Sequence, residues 1–225
     1  MKEKTVGEAT AESFLLACLL TVAGGFLDAY TYCCRDQVFA NAQTGNVVRV
    51  GISLALGAYD DVIRYLIPIF AFFCGVCLAM AMRDRFGEGN RSLWRQRILL
   101  LEIAVAAVVS LIPTETILNI LSNILVSFLC ALQAESFRKV GGKTFASTMC
   151  TGNLRSCAEC FYRGIRNRDS RLRKDAAEYL GIILTFVSGA VIGVHVSGLM
   201  GKAAILSVIL PLGGALALLK WKKET

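Results

Sequence analysis

The segment FANAQTGN (Phe39–Asn46) recurs later in the chain as FASTMCTGN (Phe145–Asn153). Each copy begins with Phe-Ala, continues with a few small or polar residues, and ends with Thr-Gly-Asn. Each copy also follows a long apolar run. The matching context predicts a fold that is built twice from one helical unit, so the surroundings of the two copies decide its architecture.

The composition is that of a membrane protein. Of the 225 residues, 55% are apolar and only 18% are charged, and the mean hydropathy is +0.57. An ordinary soluble domain carries about 25% charged residues and fewer apolar ones. We therefore predict an all-α, polytopic membrane protein.

Six runs approach the roughly 20 apolar residues that a helix needs to cross about 30 Å of hydrocarbon. These predicted spans are Phe14–Cys34, Val62–Met82, Ile98–Ile112, Ile117–Phe137, Ala176–Met200 and Ala203–Leu219. The third and sixth are short, and the link Gly201-Lys202 predicts a tight hairpin between the last two. The first run exceeds a signal-peptide core and lacks a clean cleavage site, so we interpret it as a retained span.

Basic residues mark every second connection between the spans. They lie between spans two and three, between spans four and five, and after span six: Arg83, Arg85, Arg91, Arg95, Arg97; Arg138, Lys139, Lys143, Arg155, Arg163, Arg166, Arg168, Arg171, Arg173, Lys174; and Lys220, Lys222, Lys223. This alternation follows the positive-inside rule when both termini are cytoplasmic. The net charge of +7 is therefore a topology signal, and we expect no nucleic-acid partner.

The two halves align beyond the shared tripeptide. LDAYTY (Leu27–Tyr32) matches LQAESF (Leu132–Phe137) in character, each Thr-Gly-Asn opens a short semi-polar helix, and two spans follow each. Because three spans per unit is an odd number, the second unit enters the bilayer from the opposite side. We expect one integral membrane domain over 1–225, with a first repeat at 14–112 and an inverted repeat at 117–219. Such repeats recur in transporters, whose sites lie near the midplane at the repeat interface.

Thr-Gly-Asn suits the start of a helix beside a protein-lined cavity. Thr can act as an N-cap, Gly lets the chain turn or approach another backbone, and Asn supplies both donors and acceptors. The N-terminus of the following helix favours an anion or a carbonyl oxygen. The alternative is that each tripeptide only caps a surface helix at one membrane face. Recurrence in matching context leaves both interpretations open.

Three segments, GGFLDAYTY, FANAQTGNVVRVG and ALQAESFRKVGGKTFASTMCTGNL, resemble the YoaK-type family of bacterial inner-membrane proteins, a domain-of-unknown-function family. The likeness runs from about Leu19 to the end of the sixth span. It implies a multi-pass protein of the inner (cytoplasmic) membrane with about six helices, and it implies little about activity. One departure is Glu135, where the family pattern suggests an amide, which puts a polar role there in doubt.

Ionisable groups within a span cost about 2.5–3.5 kcal/mol at the helix centre and usually face a partner or a wet cavity. Asp28 either lines such a cavity, bonds a neighbouring helix, or caps a break in span one, and Gln133 is its counterpart in the second repeat. Arg49 and Arg155 either pair with Asp28 or Glu135, or attract an anionic solute. The sequence does not decide between these roles.

Two further ionisable residues lie inside the predicted spans. Glu102 is close enough to the cytoplasmic edge that we expect it to pair with Arg95 or Arg97. His195 lies late in span five, where it is either a packing residue or a proton relay, since its charge changes near neutral pH.

The nine cysteines do not have the spacing of a metal site. Cys74 and Cys77 form one Cys-x-x-Cys pair and Cys157 and Cys160 another, but structural zinc usually needs four ligands, and His195 lies in a different span. We interpret the cysteines as packing residues.

The chain also lacks a Ser-His-Asp arrangement, a His-Glu-x-x-His motif, a Walker loop and a Gly-x-Gly-x-x-Gly fingerprint. We therefore expect no enzyme activity, cofactor or bound metal.

The sequence predicts a membrane transporter or channel-like protein for a small polar or anionic solute, with its site at the repeat interface. Eight residues form the predicted substrate site: Asp28, Thr44, Gly45, Asn46, Gln133, Thr151, Gly152 and Asn153. If transport is proton-coupled, Asp28 is the expected titrating group. The alternative is a scaffold, or a lipid-interacting or redox-sensing module that uses the basic loop Arg163–Lys174. The expected partners are the lipid bilayer and the solute, and a homo-oligomer is compatible with this prediction.

Overall fold

The structure, a computed structural model, describes residues 14–86, 91–140, 143–144 and 150–221, and almost all of them are helical. The α-helices are α1 (Phe14–Cys34), α2 (Gln43–Ala55), α3 (Tyr59–Phe86), α4 (Arg91–Leu111), α5 (Thr116–Ser136), α6 (Cys150–Arg166), α7 (Ser170–Met200) and α8 (Ile209–Trp221). A 3-10 helix, Gly201–Val208, joins α7 to α8, and the two-residue strands β1 (Lys139–Val140) and β2 (Lys143–Thr144) pair antiparallel. The predicted all-α membrane fold is confirmed.

Four helical stretches in the described ranges are long and apolar enough to cross a membrane: Phe14–Cys34, Tyr59–Phe86, Ile117–Ser136 and Ser170–Lys220. The last stretch contains α7, the 3-10 helix and α8, so it covers two of the six predicted spans. The predicted bounds of span one are those of α1. Helix α4 contains most of span three but begins seven residues earlier, with the polar sequence RSLWRQR. These polar residues are the reason that α4 is not among the four apolar stretches.

The sixth predicted span is divided into two kinds of helix. Gly201 ends α7 with a φ of +54°, a left-handed conformation that glycine adopts without a steric penalty. The chain then follows eight residues of 3-10 helix before α8 begins at Ile209. Runs of 3-10 helix longer than 3–4 residues are uncommon, because their hydrogen-bond geometry is poorer than that of an α-helix. The predicted turn at Gly201-Lys202 is therefore present, but a single continuous sixth helix is not.

The helices pack in pairs that correspond between the two halves of the chain. Helix α1 packs against α7, and α3 packs against α5. Each short helix packs against the long helix that follows it, α2 on α3 and α6 on α7. Helix α4 contacts α5, α8 contacts α1, and α4 contacts α8. If α1 is exchanged with α5, α2 with α6, α3 with α7 and α4 with α8, the same set of contacting pairs results.

Glycines permit the closest approach in both of the large helix pairs. A side chain at Gly189 of α7 would collide with the backbone carbonyl of Val22 on α1. On α3, a Cβ atom at Gly75 would lie 2.7 Å from the carbonyl oxygen of Phe128 and 2.7 Å from the Ala131 Cβ atom of α5. Small residues at such contacts are typical of membrane helices, which associate through close van der Waals packing.

The outer surface of the bundle is apolar over the long helices. Large side chains of α3 and α7 are exposed there, including Phe70, Phe73, Leu184 and Val187. A surface of this kind is stable in lipid rather than in water. The buried face of α1, which includes Leu16, Leu20 and Phe26, instead packs into the main hydrophobic core.

Candidate functional site

The first Thr-Gly-Asn lies at the start of α2, and its anchor is Asp28 on α1. One carboxylate oxygen of Asp28, Oδ1, accepts hydrogen bonds from the backbone amides of Asn41 at 2.7 Å and Ala42 at 3.3 Å. Ala42 is the N-cap residue of α2 and makes no side-chain cap. The prediction that Thr44 caps this helix is therefore wrong, because the helix begins one residue earlier and a carboxylate from α1 binds the amides before it.

Asn46 holds the chain that leads into α2. Its Nδ2 donates to the Phe39 carbonyl at 2.6 Å and to Gln43 Oε1 at 2.8 Å, and its Oδ1 accepts from the Phe39 amide at 3.2 Å. The Asn46 side chain is 0% exposed. Asn46 thus fixes the chain between α1 and α2 by hydrogen-bonding to both the backbone amide and the backbone carbonyl of Phe39.

The second Thr-Gly-Asn holds the same positions in its helix. Helix α6 begins at Cys150, so Thr151, Gly152 and Asn153 are its second to fourth residues, as Thr44, Gly45 and Asn46 are in α2. In both helices the Asn is buried and the Thr is exposed. Residues 145–149, which complete the second copy of the motif, lie outside the described residues.

Asp28 also acts electrostatically on the start of α6. Burial raises the pKa of the Cys150 thiol, and the negative charge of Asp28 raises that pKa further. Asp28 therefore binds the amides just before α2 and lies within electrostatic range of the first residue of α6.

Gln133, the counterpart of Asp28, joins α5 to α1. Its Nε2 donates to the Leu20 carbonyl at 3.1 Å, and the side chain is almost fully buried. The neighbouring hydroxyl residues also correspond. Thr31 Oγ1 donates to the carbonyl of Leu27 four residues earlier, and Ser136 Oγ donates to that of Leu132.

A groove of about 570 Å³ lies between α2 and α3, beside the first Thr-Gly-Asn. Its lining includes Thr44, Gly45, Arg49, Ser53 and Tyr65, together with Val48, Ile52, Leu56, Ala58 and Asp61. The apolar residues Val47, Val48, Ile52 and Leu54 of α2 are exposed, whereas Asn46 and Ser53 are buried. Helix α2 thus turns its polar side toward the protein, which is the arrangement expected of a short helix in contact with lipid.

Arg49 is the cation of this groove. Its Nη1 donates to Tyr65 Oη at 2.9 Å, and its guanidinium lies 5.3 Å and 5.8 Å from the ring centroids of Tyr65 and Tyr32. The Asp61 carboxylate, which also lines the groove, pairs with Arg64 at 3.1 Å. Among the described residues, Arg49 has aromatic and hydroxyl partners but no carboxylate partner.

Of the two roles left open for Arg49 and Arg155, pairing with Asp28 or Glu135 is not found among the described residues. Glu135 pairs with Arg83 at 2.8 Å and with Arg138 at 3.6 Å. Arg155 is exposed on the outer side of α6. Arg83 is 52 residues away from Glu135 along the chain, so this pair depends on the packing of α3 against α5.

Sequence reasoning missed Arg35, which is 0% exposed. All five of its N–H groups have acceptors, which are Tyr30 Oη at 3.0 Å, Pro113 O at 2.8 Å, Asn119 Oδ1 at 3.1 Å, Val109 O at 3.1 Å and Ile112 O at 3.0 Å. Three of these acceptors are carbonyls at the end of α4, where the helix dipole favours a cation. The one sequence signal was a charged residue directly after an apolar span.

The remaining ionisable candidates lie apart from this site. Glu102 is buried, and its Oε1 has no hydrogen-bond partner, so the expected pair with Arg95 or Arg97 is wrong. His195 is exposed on α7, and its Nδ1 lies 2.8 Å from the Val191 carbonyl of the same helix. The nine cysteines are free thiols on α1, α3, α5 and α6.

Comparison with known proteins places the chain in a family. A family model described as "Protein of unknown function (DUF1275)" matches residues 16–218. The chain is 30% identical over 188 residues to the "UPF0700 transmembrane protein YoaK" of Bacillus subtilis (strain 168), a match that covers 79% of this chain and 80% of that protein. No solved structure matches the chain. The resemblance inferred from the motifs is confirmed: the chain belongs to the DUF1275 family of proteins of unknown function and is a transmembrane protein similar to YoaK.

Proposed function

We propose that the protein is a membrane transporter or channel-like protein that passes a small polar or anionic solute between two inverted repeats. The observation that carries this proposal is that Asp28 binds the amide of Asn41 before α2 and lies within electrostatic range of Cys150 at the start of α6. In transporters built from inverted repeats, broken or short helices present their N-termini to the solute at the repeat interface.

The correspondence of helix pairs supports the inverted arrangement. A two-fold axis that exchanges the halves would convert each helix pair of one half into its counterpart. The pair of α1 and α7 would become that of α5 and α3, the pair of α2 and α3 that of α6 and α7, and the pair of α4 and α5 that of α8 and α1. All of these pairs are in contact. The repeats are taken as 14–112 and 117–219 of a single membrane domain.

The buried members of the predicted site are assigned a positioning role. Asp28 and Asn46 bind backbone groups just before α2, which fixes the start of that helix, and Gln133 joins α5 to α1. Asn153, equally buried, takes the corresponding position in α6. Solute contact is assigned to the exposed or half-exposed residues Thr44, Gly45, Thr151 and Gly152.

Arg49 is added to the site as the group that selects an anion. An arginine without a carboxylate partner keeps its charge available, and a guanidinium binds carboxylates or phosphates through paired hydrogen bonds. Thr44 and Gly45 line the same groove. A small organic anion is therefore the favoured solute class, and the groove is its entrance.

The alternation of basic connections supports an orientation with both termini in the cytoplasm and the α2 end of the groove outside. The YoaK-type resemblance favours the cytoplasmic membrane. In this orientation the α2 start is reached from the outside and the α6 start from the cytoplasm, so closing one approach at a time would give alternating access.

Uptake into proteoliposomes tests the proposal. The purified chain is assayed against a panel of small organic anions and neutral polar solutes, together with Asn46→Ala, Asn153→Ala, Asp28→Asn and Arg49→Gln. Arg49→Gln should lower anion uptake by roughly tenfold or more, since a hydrogen bond to a charged group contributes about 1.5–3 kcal/mol. Arg97→Gln is the matched control, because Arg97 lies on α4, outside the lining of the groove, and like Arg49 it contacts an aromatic ring, that of Phe86 at 5.6 Å.

Two results would contradict the proposal. Solute uptake that none of the four substitutions changes would remove the site from the pathway. Absence of uptake for the whole panel, combined with binding to anionic vesicles through the loop Arg163–Lys174, would favour the lipid-interacting alternative.

A further inference from the structure

Glu102 lies in an apolar part of the membrane domain that the proposed solute site does not use. It is 2% exposed. Leu99 and Ala106, one turn before and after it on α4, belong to the main core together with Cys130 of α5 and Ile205 of the 3-10 helix. The carboxyl group is thus enclosed by packed helices.

In the part of the chain that the structure describes, no cation lies beside the carboxyl group. Oε1 of Glu102 is buried without a hydrogen-bond partner. Arg95 instead donates to the Ser136 carbonyl at 3.0 Å, and Arg97 lies over the Phe86 ring at 5.6 Å. Arg95 and Arg97 therefore extend toward the polar end of α4.

Charged groups on the elements packed against α4 are also engaged or distant. Lys202 of the 3-10 helix donates to the Leu111 carbonyl at 3.3 Å, at the other end of α4. On α3 and α5, Arg83 and Glu135 pair with each other at 2.8 Å. Lys220 is exposed near the end of α8.

The ionisable groups that share this region with Glu102 would not offset a negative charge. Glu102 and Asp28 both lie within electrostatic range of the Cys130 thiol, and none of these three groups is a cation. Asp28 differs from Glu102 because its Oδ1 accepts two backbone N–H bonds, which offset part of the cost of burying a carboxylate. Glu102 has no such support at Oε1, and an isolated buried charge is strongly unfavourable.

We propose that Glu102 is a proton-binding site inside the membrane, neutral in the conformation described here and ionised only when α4 separates from its neighbours. The reaction is the reversible addition of one proton to the Glu102 carboxylate. This inference replaces Asp28 with Glu102 as the proton carrier of the molecule. It does not depend on the identity of a solute or on the proposed groove.

The neighbour of α4 that could allow such a separation is the 3-10 helix. It packs against α4 and α7, and Ala204, Ile205 and Val208 are buried. A long 3-10 run often marks a hinge or a strained segment. Release of the proton in the closed packing would leave a bare carboxylate in the core, so proton loss and movement of α4 against the 3-10 helix are expected to occur together.

Infrared spectroscopy of the full chain in lipid bilayers tests this proposal without a transport assay. At neutral pH the protein should show the carbonyl stretching band of a protonated carboxylic acid. In an Asp28→Asn background, which removes any contribution of Asp28 to this band, Glu102→Gln should remove the remaining band, whereas Glu115→Gln, at an exposed position before α5, should retain it. A band of equal intensity in Asp28→Asn and in the Asp28→Asn, Glu102→Gln double variant would overturn the assignment.

Thermal unfolding gives a second, independent measurement. The folded state holds a proton that an exposed, unfolded glutamate releases, so raising the pH must destabilise the folded protein. From mildly acidic to mildly alkaline pH, the unfolding temperature of the unaltered chain should fall relative to that of Glu102→Gln. Glutamine resembles the protonated acid in size and charge, so the variant should fold, and parallel pH profiles for the two proteins would contradict the proposal.

Discussion

Arg35 donates a hydrogen bond from Nη1 to Asn119 Oδ1 at 3.1 Å, across 84 residues of sequence. Asn119 Nδ2 in turn donates to Asp36 Oδ1 at 2.9 Å, and Asn123, one turn later on α5, donates to the Arg35 carbonyl at 2.8 Å. The end of α1 is therefore bound to the end of α4 and the start of α5. This connection joins the last helix of the first half to the first helix of the second.

Arg35→Lys should destabilise the protein by about 3–5 kcal/mol, the usual cost of removing one member of a buried charged network. An ammonium group has three donors and cannot reach five acceptors, so several buried carbonyls at the end of α4 would lose their partners. Thermal unfolding of the protein in detergent measures the effect. Arg64→Lys, in a partly exposed pair with Asp61, should change stability by no more than about 1 kcal/mol, and equal losses in the two variants would exclude the network.

Replacing Asp28 should loosen the start of α2. Asp28→Ala removes the acceptor for two buried amides, and we expect a local loss of about 1 kcal/mol, similar to that of a helix N-cap. Asp28→Asn should lose less, because its amide oxygen still accepts. Hydrogen exchange of the Asn41 and Ala42 amides measures the difference, and equal protection in Asp28→Ala and the unaltered chain would contradict the contact.

Asp28→Asn should also make Cys150 more reactive. The negative charge of Asp28 contributes to the raised pKa of this thiol, so removing it lowers that pKa and increases the thiolate fraction at any pH below it. The rate of maleimide modification at Cys150, divided by that at Cys157 in the same protein, should rise. An unchanged ratio would show that the charge of Asp28 does not act on Cys150 at the start of α6.

Close helix contacts should make two glycines intolerant of a single methyl group. Gly189→Ala and Gly75→Ala should each cost about 1–3 kcal/mol, because the added Cβ meets backbone or Cβ atoms of the facing helix. Gly198→Ala is the control, since nothing lies within 4 Å of a Cβ at that position. Unfolding temperatures that are the same for all three variants would show that the helix pairs do not depend on this close approach.

The two turns that follow the short helices should open to opposite sides of the membrane. An epitope inserted at Gly57-Ala58, after α2, should be reached from outside intact cells. An epitope inserted at Asn167-Arg168, after α6, should be reached only after permeabilisation. Labelling of both epitopes from the same side would contradict the inverted repeat.

Several elements of the fold could be predicted because their causes are local. The bounds of α1 follow from an uninterrupted apolar run, and the start of the turn at Gly201 follows from a residue that permits positive φ. The paired Thr-Gly-Asn segments lie at helix starts as predicted, although Thr44 does not cap α2 and Asp28 instead binds the two amides just before that helix. A contact from another helix has no signature within the tripeptide.

The ion pairs could not be predicted from proximity in sequence. Glu102 was expected to bind an arginine on its own helix, but the packing of α4 turns it into the core and leaves Arg95 and Arg97 at the polar end. Glu135 binds Arg83 because α3 lies against α5. Arg35 was overlooked since its acceptors are mainly backbone carbonyls, which every residue carries.

By itself, the sequence determined that this chain is a helical membrane protein and predicted two related halves, because hydrophobicity, charge alternation and repeated motifs are properties of the linear chain. Only the tertiary structure decided which polar groups meet. Inside lipid each buried donor and acceptor must find its partner within the protein, and helix packing selects that partner from segments far apart in sequence. The same packing left Glu102 without one.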